Sequence, residues 1–329
     1  MNTVRKIKIT GMGKYLPQAV DSNDLEQKHG LPLGWSERYS GVRTRHHATS
    51  ESNGSMGANA LSGALKNAGL KTSDLDLIIS ASATYDYPLP STSSIIKSEI
   101  KDASNVGTLD IDSTCLSFVS AFEMASKLLD GNQYKHIAIV SSEIASKGID
   151  PNKWETLTLF GDGAACFILS YDENSDSGFV HGGIKTFSEG VHDTIIKGGG
   201  NKYFFKDHPY DVEMHSFHMN GKRLLRLAKK KIPEFMSWFF EGLNTVITDI
   251  DLVIPHQASK TGVGIFRNMY PFKDENFYGN LETHGNCIAA SIPMSLYDAI
   301  TEGKLKRGQS CLICGTSAGF SVGAVLFTY

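Results

Sequence analysis

Three residues in this chain could together make and break a thioester: Cys115, His256 and Asn286. Cys115 lies in Thr108-Leu-Asp-Ile-Asp-Ser-Thr-Cys-Leu-Ser-Phe-Val, where a strand-like run gives way to a helical, apolar one. A cysteine at that junction falls at a helix N-terminus, where unpaired N–H groups and the helix dipole favour thiolate over thiol. His256 lies in Leu252-Val-Ile-Pro-His-Gln-Ala, at the C-terminal end of a strand, where open α/β sheets place their ligands. Asn286 lies in Thr283-His-Gly-Asn-Cys-Ile-Ala-Ala-Ser-Ile-Pro, where a loop runs into a helix. Singly, each has a plain structural role, as a core thiol or a helix N-cap. Jointly, a nucleophile with imidazole and amide partners supplied by distant loops is the pattern of cysteine-based acyl transfer.

The elements that must position these groups come in two echoing sets. Residues 67–79 read Asn-Ala-Gly-Leu-Lys-Thr-Ser-Asp-Leu-Asp-Leu-Ile-Ile, and residues 240–254 read Phe-Glu-Gly-Leu-Asn-Thr-Val-Ile-Thr-Asp-Ile-Asp-Leu-Val-Ile. Both leave a helix at Gly and enter an apolar run suited to a strand buried on both faces. Asp76 and Asp251 take the same place in the two echoes. Downstream, Cys115 opens a helical pattern through Phe118, Phe122 and Leu128, followed by a strand pattern from His136. Asn286 opens a second helical pattern through Ala289, Ile292, Leu296 and Ile300, followed by a strand pattern from Cys311. Each set alternates strands and helices, the mark of a layered α/β domain. The expected division is 1–175, carrying the cysteine, and 176–329, carrying the histidine and asparagine. A pseudo-two-fold arrangement would turn helix starts from both toward one site.

Bulk properties narrow the class further. A 41% hydrophobic, 20% charged chain of 329 residues can bury a large core, and disorder would need fewer apolar residues. A net charge of −3 gives no general pull toward nucleic acid or an anionic membrane. No apolar run approaches the ~20 residues that span a bilayer, and Met1–Thr10 reads as a first strand rather than a leader. Five cysteines without framework spacing are expected to be reduced thiols in a cytoplasmic protein.

On these motifs the chain resembles the β-ketoacyl-acyl carrier protein synthase III group of the thiolase superfamily. The resemblance is carried by the Cys115 segment, Pro255-His256-Gln257-Ala258, His284-Gly285-Asn286 with Ala289-Ala290-Ser291-Ile292-Pro293, and Leu159-Phe160-Gly161-Asp162-Gly163-Ala164. It runs from Gly11 to the tail Gly315–Gly323. It implies an α/β, thiolase-like duplicated αβαβα fold in five layers, a homodimer, and a decarboxylating Claisen condensation needing no cofactor or metal. Its partners would be acyl carrier protein, an acyl thioester of coenzyme A or of a carrier, and a malonyl thioester. Cys115 would carry the acyl group, while His256 and Asn286 would hydrogen-bond the malonyl thioester oxygen as enolate charge develops. The backbone N–H groups of Cys115 and Ala318 would form the oxyanion hole.

The chain departs from the family where coenzyme A is gripped. Trp35 matches the adenine-clamping tryptophan, but the arginine expected four residues later is Tyr39, and Trp154 stands in place of a second arginine. After Pro-His-Gln-Ala the usual Asn and Arg are Ser259 and Thr261, with Lys260 between them. Arginine to aromatic loses the forked guanidinium. Trp35, Trp154, Ser259 and Lys260 are thus the expected contacts for coenzyme A or a carrier arm. A carrier-bound, longer or β-ketoacyl donor follows, as in specialised ketosynthases resembling those that build dialkylresorcinols. An acyltransferase acting on an alcohol or amine, or a non-catalytic partner subunit, are the alternatives.

Other motifs carry less. Cys311-Leu-Ile-Cys314 has metal spacing but sits in an apolar strand-like run, so it reads as core. His46-His47 reads as an exposed turn, His215 and His218 as a surface loop, and His284 as structural. Lys229-Lys-Lys231 reads as a solvated helix face, or else as a contact for an acidic carrier protein. From loop position, Tyr85, Tyr87, Leu89 and Phe205 are expected to line the substrate pocket.

Overall fold

The computed structural model describes residues 4–102 and 104–329. The first expected strand, placed over 1–10, is Ile7–Tyr15 (β1); residues 1–3 lie outside the described ones. A five-stranded sheet then collects Leu77–Ser80 (β2), Gly107–Asp110 (β3), His136–Glu143 (β4) and Gly163–Tyr171 (β5), in the order β1-β5-β4-β2-β3. A four-stranded sheet collects Gly178–Thr186 (β6), Leu252–Pro255 (β7), Ser310–Ser317 (β8) and Ser321–Thr328 (β9), in the order β7-β8-β9-β6. In each, the parallel pair that starts from an echo segment is followed outward by antiparallel strands: β2 lies parallel to β4, and β7 parallel to β8.

Strand parity explains the layering. Leu77 and Ile79 point one way and Ile78 the other, as do Cys311 and Ile313 against Leu312. The inward set from both sheets packs on two central helices, Ser117–Leu128 (α2) and Ser291–Thr301 (α5), through Phe118, Phe122, Ile292 and Leu296. The outer face of the first sheet is covered by Asn53–Ala68 (α1), with Met56, Leu61 and Ala64 against Ile78 and Val140. The outer face of the second is covered by Gly221–Phe239 (α3) and Lys260–Met269 (α4), with Phe235, Phe239 and Phe266 against Val253, Leu312 and Ala324. Helix, sheet, helix, sheet, helix is the five-layered α/β architecture expected. Cys311 and Cys314 are buried on opposite faces of β8, each in a different core layer, so they cannot share a ligand.

The echoed aspartates do the same work in both sheets. Asp76 ahead of β2 accepts from the backbone of Lys135 and His136 at 2.6 and 2.9 Å, and Asp251 ahead of β7 accepts from the backbone N–H of Ser310 at 2.8 Å. Each carboxylate fixes the register of a parallel strand that arrives about sixty residues later.

Candidate active site

Cys115 sits in a single 3₁₀ turn, Thr114–Leu116, at the head of central helix α2. Thr114 holds φ = 51°, a left-handed conformation costly for a β-branched residue. The turn is built by side chains: Asp112 accepts from the Thr114 N–H at 2.7 Å, and Ser117 Oγ accepts from the Ser113 N–H at 2.9 Å.

The expectation of a thiolate at this helix start is not met. Burial and the Glu143 carboxylate push the Cys115 thiol up to about 12, against the backbone N–H groups of Ala318 and Cys115 itself, which favour the thiolate. One short turn ahead of the helix supplies too little dipole to outweigh desolvation. These are the same two N–H groups that the family resemblance assigns to the oxyanion hole, and both act on the sulfur's ionisation.

His256 follows β7 directly, and its N–H donates to the Cys314 carbonyl at 2.7 Å, extending the strand pairing by one residue. The side chain is buried; Nδ1 has no hydrogen-bond partner among the described residues, and desolvation lowers its pKa to about 4. The imidazole is therefore neutral at physiological pH. Gly315 permits this placement, because a Cβ there would lie 2.6 Å from His256 Cβ.

Asn286 is buried and fully oriented. Its Nδ2 donates to the Ala258 carbonyl at 3.1 Å, and its Oδ1 accepts from the Ile288 N–H at 2.9 Å, leaving one amide N–H free for a substrate. Its backbone is held between the Leu159 carbonyl (2.9 Å) and the Gly161 N–H (3.1 Å), which is the role of the Leu159-Phe160-Gly161 motif. Gly161 has no alternative, since a Cβ would come within 2.2 Å of the His284 carbonyl. The fully buried Arg45 donates to the Thr158 carbonyl at 3.0 Å and steadies the same loop. His284, as expected, is structural: buried and in contact with Lys14 and Asp298.

Cys115, His256, Asn286 and Ala318 line one cavity of about 730 Å³, with Ser259 at its wall. Trp35, Trp154 and Lys260 are not in that wall. They form a separate cluster with Tyr39: Trp35 packs on Tyr39 at 4.0 Å between ring centroids and edge-on against Trp154 at 5.2 Å. Lys260 donates to the Glu37 carbonyl at 3.2 Å.

Two expectations need correction. Tyr85 and Tyr87 line a different, smaller cavity of about 260 Å³ with Asp110 and Asp112, while Leu89 and Phe205 are exposed and line neither. The reason is that the loop after β2 folds back over the start of Thr92–Glu99, whose first N–H groups are capped by Asp110. His46 and His47 are not in an exposed turn but on a short strand, Thr44–His47, and burial lowers both pKa values.

The residue that the motifs did not reveal is Glu143, the last residue of β4. It is completely buried and accepts from the N–H groups of Ala83 (2.7 Å) and Thr84 (2.9 Å) and from Thr84 Oγ1 (2.5 Å). Burial still raises its pKa to about 7. It shapes the Ala83-Thr84 wall of the cavity and opposes ionisation of Cys115. A carboxylate ending an otherwise apolar strand, His136-Ile-Ala-Ile-Val-Ser-Ser-Glu, was the available signal.

Fold and site together define a thiolase-fold enzyme with a cysteine, a histidine and an asparagine lining one cavity. Residues 109–187 match the family described as 3-oxoacyl-[acyl-carrier-protein (ACP)] synthase III, and residues 241–329 match its C-terminal counterpart. The chain is 30% identical over 324 residues to a beta-ketoacyl-[acyl-carrier-protein] synthase III of Clostridium perfringens, covering 98% of this chain and 99% of the relative. The structure of a 3-oxoacyl-[acyl-carrier-protein] synthase III from Aquifex aeolicus superposes with a TM-score of 0.87 at 29% identity, covering 98% of this chain and all of that one. The priming β-ketosynthase of the R1128 polyketide pathway shares the fold, with a TM-score of 0.89 at 22% identity over 100% of this chain and 98% of that one. This chain belongs to the β-ketoacyl-[acyl-carrier-protein] synthase III family. No helix among the described residues is long and apolar enough to cross a membrane.

Proposed function

We propose that this enzyme condenses an acyl thioester with malonyl-acyl carrier protein, losing carbon dioxide, through an acyl group held on Cys115. The observation that carries the reading is the convergence of Cys115, His256 and Asn286 on one cavity, with the Ala318 and Cys115 N–H groups at the sulfur. In the first half-reaction the neutral His256 takes the thiol proton as sulfur attacks the thioester carbonyl. The two backbone N–H groups hold the oxyanion, and the proton passes to the departing carrier thiol. In the second, the carbon–carbon bond to the malonyl carboxylate breaks and its electrons form an enolate. The enolate oxygen accepts from a His256 ring N–H and the free Asn286 N–H. The enolate carbon then attacks the acyl carbonyl and expels the Cys115 thiolate. A histidine that is neutral by burial can donate without bringing a charge, which suits a site that must hold an anion only briefly.

The presence of Asn286, oriented with one N–H to spare, favours condensation over plain transfer to an alcohol or amine. Residues 1–175 supply the nucleophile in this reading, and 176–329 supply the histidine and asparagine. A homodimer fits the exposed Tyr85, Tyr87 and Leu89, three large apolar side chains on one loop. The Trp35–Tyr39–Trp154 cluster supports a carrier-bound donor over coenzyme A, because an aromatic packed on an aromatic replaces the arginine fork and Lys260 is engaged by backbone carbonyls. Intact-mass measurement tests both points. The protein should gain an acyl adduct from acyl-carrier thioesters faster than from coenzyme A thioesters, and Cys115→Ala should gain none. An adduct on the Cys115→Ala protein sinks the assignment.

A further inference from the structure

Glu143 is a wholly buried carboxyl group that stands where three elements of the site meet. The strand it ends, β4, packs against the 3₁₀ turn Ile288–Ala290 ahead of α5, and that turn packs against Thr114–Leu116, which carries Cys115. From the loop after β2 it accepts the Ala83 N–H, the Thr84 N–H and the Thr84 hydroxyl. Thr84 Oγ1 in turn accepts from the Ile144 N–H at 3.1 Å, so the loop and the strand end close into a ring. The backbone N–H of Ala289 also favours the charged carboxylate. Ala83 and Thr84 line both the large cavity at Cys115 and the smaller one beside it, so the ring fixes the partition between the two.

An ionised carboxyl suits this place because it offers acceptors and no donor. A glutamine would turn two N–H groups toward backbone N–H groups. The charge has a consequence for a neighbour. Glu143 and, more weakly, Asp112 disfavour a thiolate at Cys115 by repulsion. The residue that shapes the wall thus restrains the nucleophile that the wall serves. The two effects have opposite signs. Losing the charge frees the sulfur, whereas losing the ring displaces the wall against which a thioester must lie.

We infer that Glu143 is a positioning residue for the loading of Cys115: its hydrogen-bonded ring holds the Ala83-Thr84 wall where the acyl thioester is placed, while its charge restrains the sulfur. The inference rests on the reading of Cys115 as the acyl acceptor and adds to it a residue that acts through the wall.

Two rates measured in the same variants by intact mass test it. Alkylation of Cys115 by iodoacetamide at a mildly alkaline pH reads the sulfur alone. Acylation by an acyl-carrier thioester also needs the wall. Glu143→Gln should be alkylated about tenfold faster, the change that one pKa unit makes in the thiolate population. It should nonetheless be acylated about tenfold or more slowly, as expected for a misplaced substrate. Glu143→Asp keeps the charge but is one methylene too short for the ring. It should be acylated as slowly as Glu143→Gln, yet alkylated no faster than the unaltered protein. A merely loosened structure would move alkylation alike in both variants. Should neither fold, Thr84→Val removes the ring's hydroxyl from the loop side and should slow acylation about threefold, the loss of one modest hydrogen bond, with Thr84→Ser recovering most of it. Acylation at the unaltered rate in folded Glu143→Gln or Glu143→Asp, equal alkylation of those two, or equal acylation of Thr84→Val and Thr84→Ser would each overturn the inference while leaving Cys115 as nucleophile. Absence of any acyl adduct on the unaltered protein would instead overturn the reading of Cys115 itself.

Discussion

The two helix starts that meet at the centre of the molecule are built alike and used differently. Ahead of α2, Asp112 accepts from the Thr114 N–H, Ser117 Oγ accepts from the Ser113 N–H, and Thr114 holds φ = 51°. Ahead of α5, Asn286 accepts from the Ile288 N–H, Ser291 Oγ accepts from the Cys287 N–H, and Ile288 holds φ = 48°. Position by position, Asp112 answers to Asn286 and Cys115 to Ala289. Asn286 is therefore not the counterpart of the nucleophile. It is the counterpart of a turn-forming aspartate, with an amide that can face substrate where the other start has a carboxylate. The same strained scaffold delivers a sulfur from one start and an N–H donor from the other, so chemistry here depends on side-chain choice at fixed backbone positions.

Breaking that asymmetry is the most decisive probe. Ala289→Cys in a Cys115→Ala background should not restore acyl-enzyme by intact mass. Position 289 is fully buried and lines no part of the cavity, so an adduct there would show the two starts to be interchangeable. Next in size, Asn286→Ala should slow decarboxylation of malonyl-carrier protein by about a hundredfold, the loss typical of one oxyanion donor, while leaving acylation of Cys115 intact. Asp112→Ala removes the matching turn contact, together with a small charge effect on Cys115. It should cost about 1 kcal/mol of stability by denaturant titration and spare the decarboxylation rate.

The histidine sharpens the comparison through pH. With its pKa lowered to about 4 by burial, His256 stays neutral across the physiological range. Decarboxylation should therefore be flat there and fall only as pH drops toward about 4. A fall centred near the ordinary histidine value of about 6.5 would show an imidazole open to water. The same shift has a stability sign. Its folded pKa lies below the unfolded one, so the unfolded chain takes up the extra proton as pH falls below about 6.5, and the protein loses stability from that side.

The smallest expected effect is a matched pair. Asp76→Ala and Asp251→Ala should each lower stability by about 0.5–1 kcal/mol in urea titrations, since each removes hydrogen bonds at a strand start that water partly replaces. Very different losses would mean that the echo is one of letters and not of structure.

Much of this was legible in the chain. The cysteine, histidine and asparagine stood out because each lies where a strand or loop meets a helix, and the echo around Asp76 and Asp251 announced a duplicated layered fold. What escaped depended on contacts remote in sequence. Glu143 is tuned by N–H groups of Ala83 and Thr84 some sixty residues earlier, and nothing local reveals that they converge. The helix start alone predicts a thiolate, but desolvation and that carboxylate outweigh one short turn. Position alone predicts that the loop bearing Tyr85 and Tyr87 lines the substrate pocket, whereas Asp110 holds the following helix start so that the loop lines a separate cavity.

The backbone of Asn286 is clasped by Leu159 and Gly161, residues that belong to the segment leading into the first sheet's β5. The Asn286 segment is thus stitched directly across the seam between the two sheet systems. Any condition that lets the layers slide apart should silence turnover before either sheet frays, making catalysis a more sensitive gauge of the seam than circular dichroism.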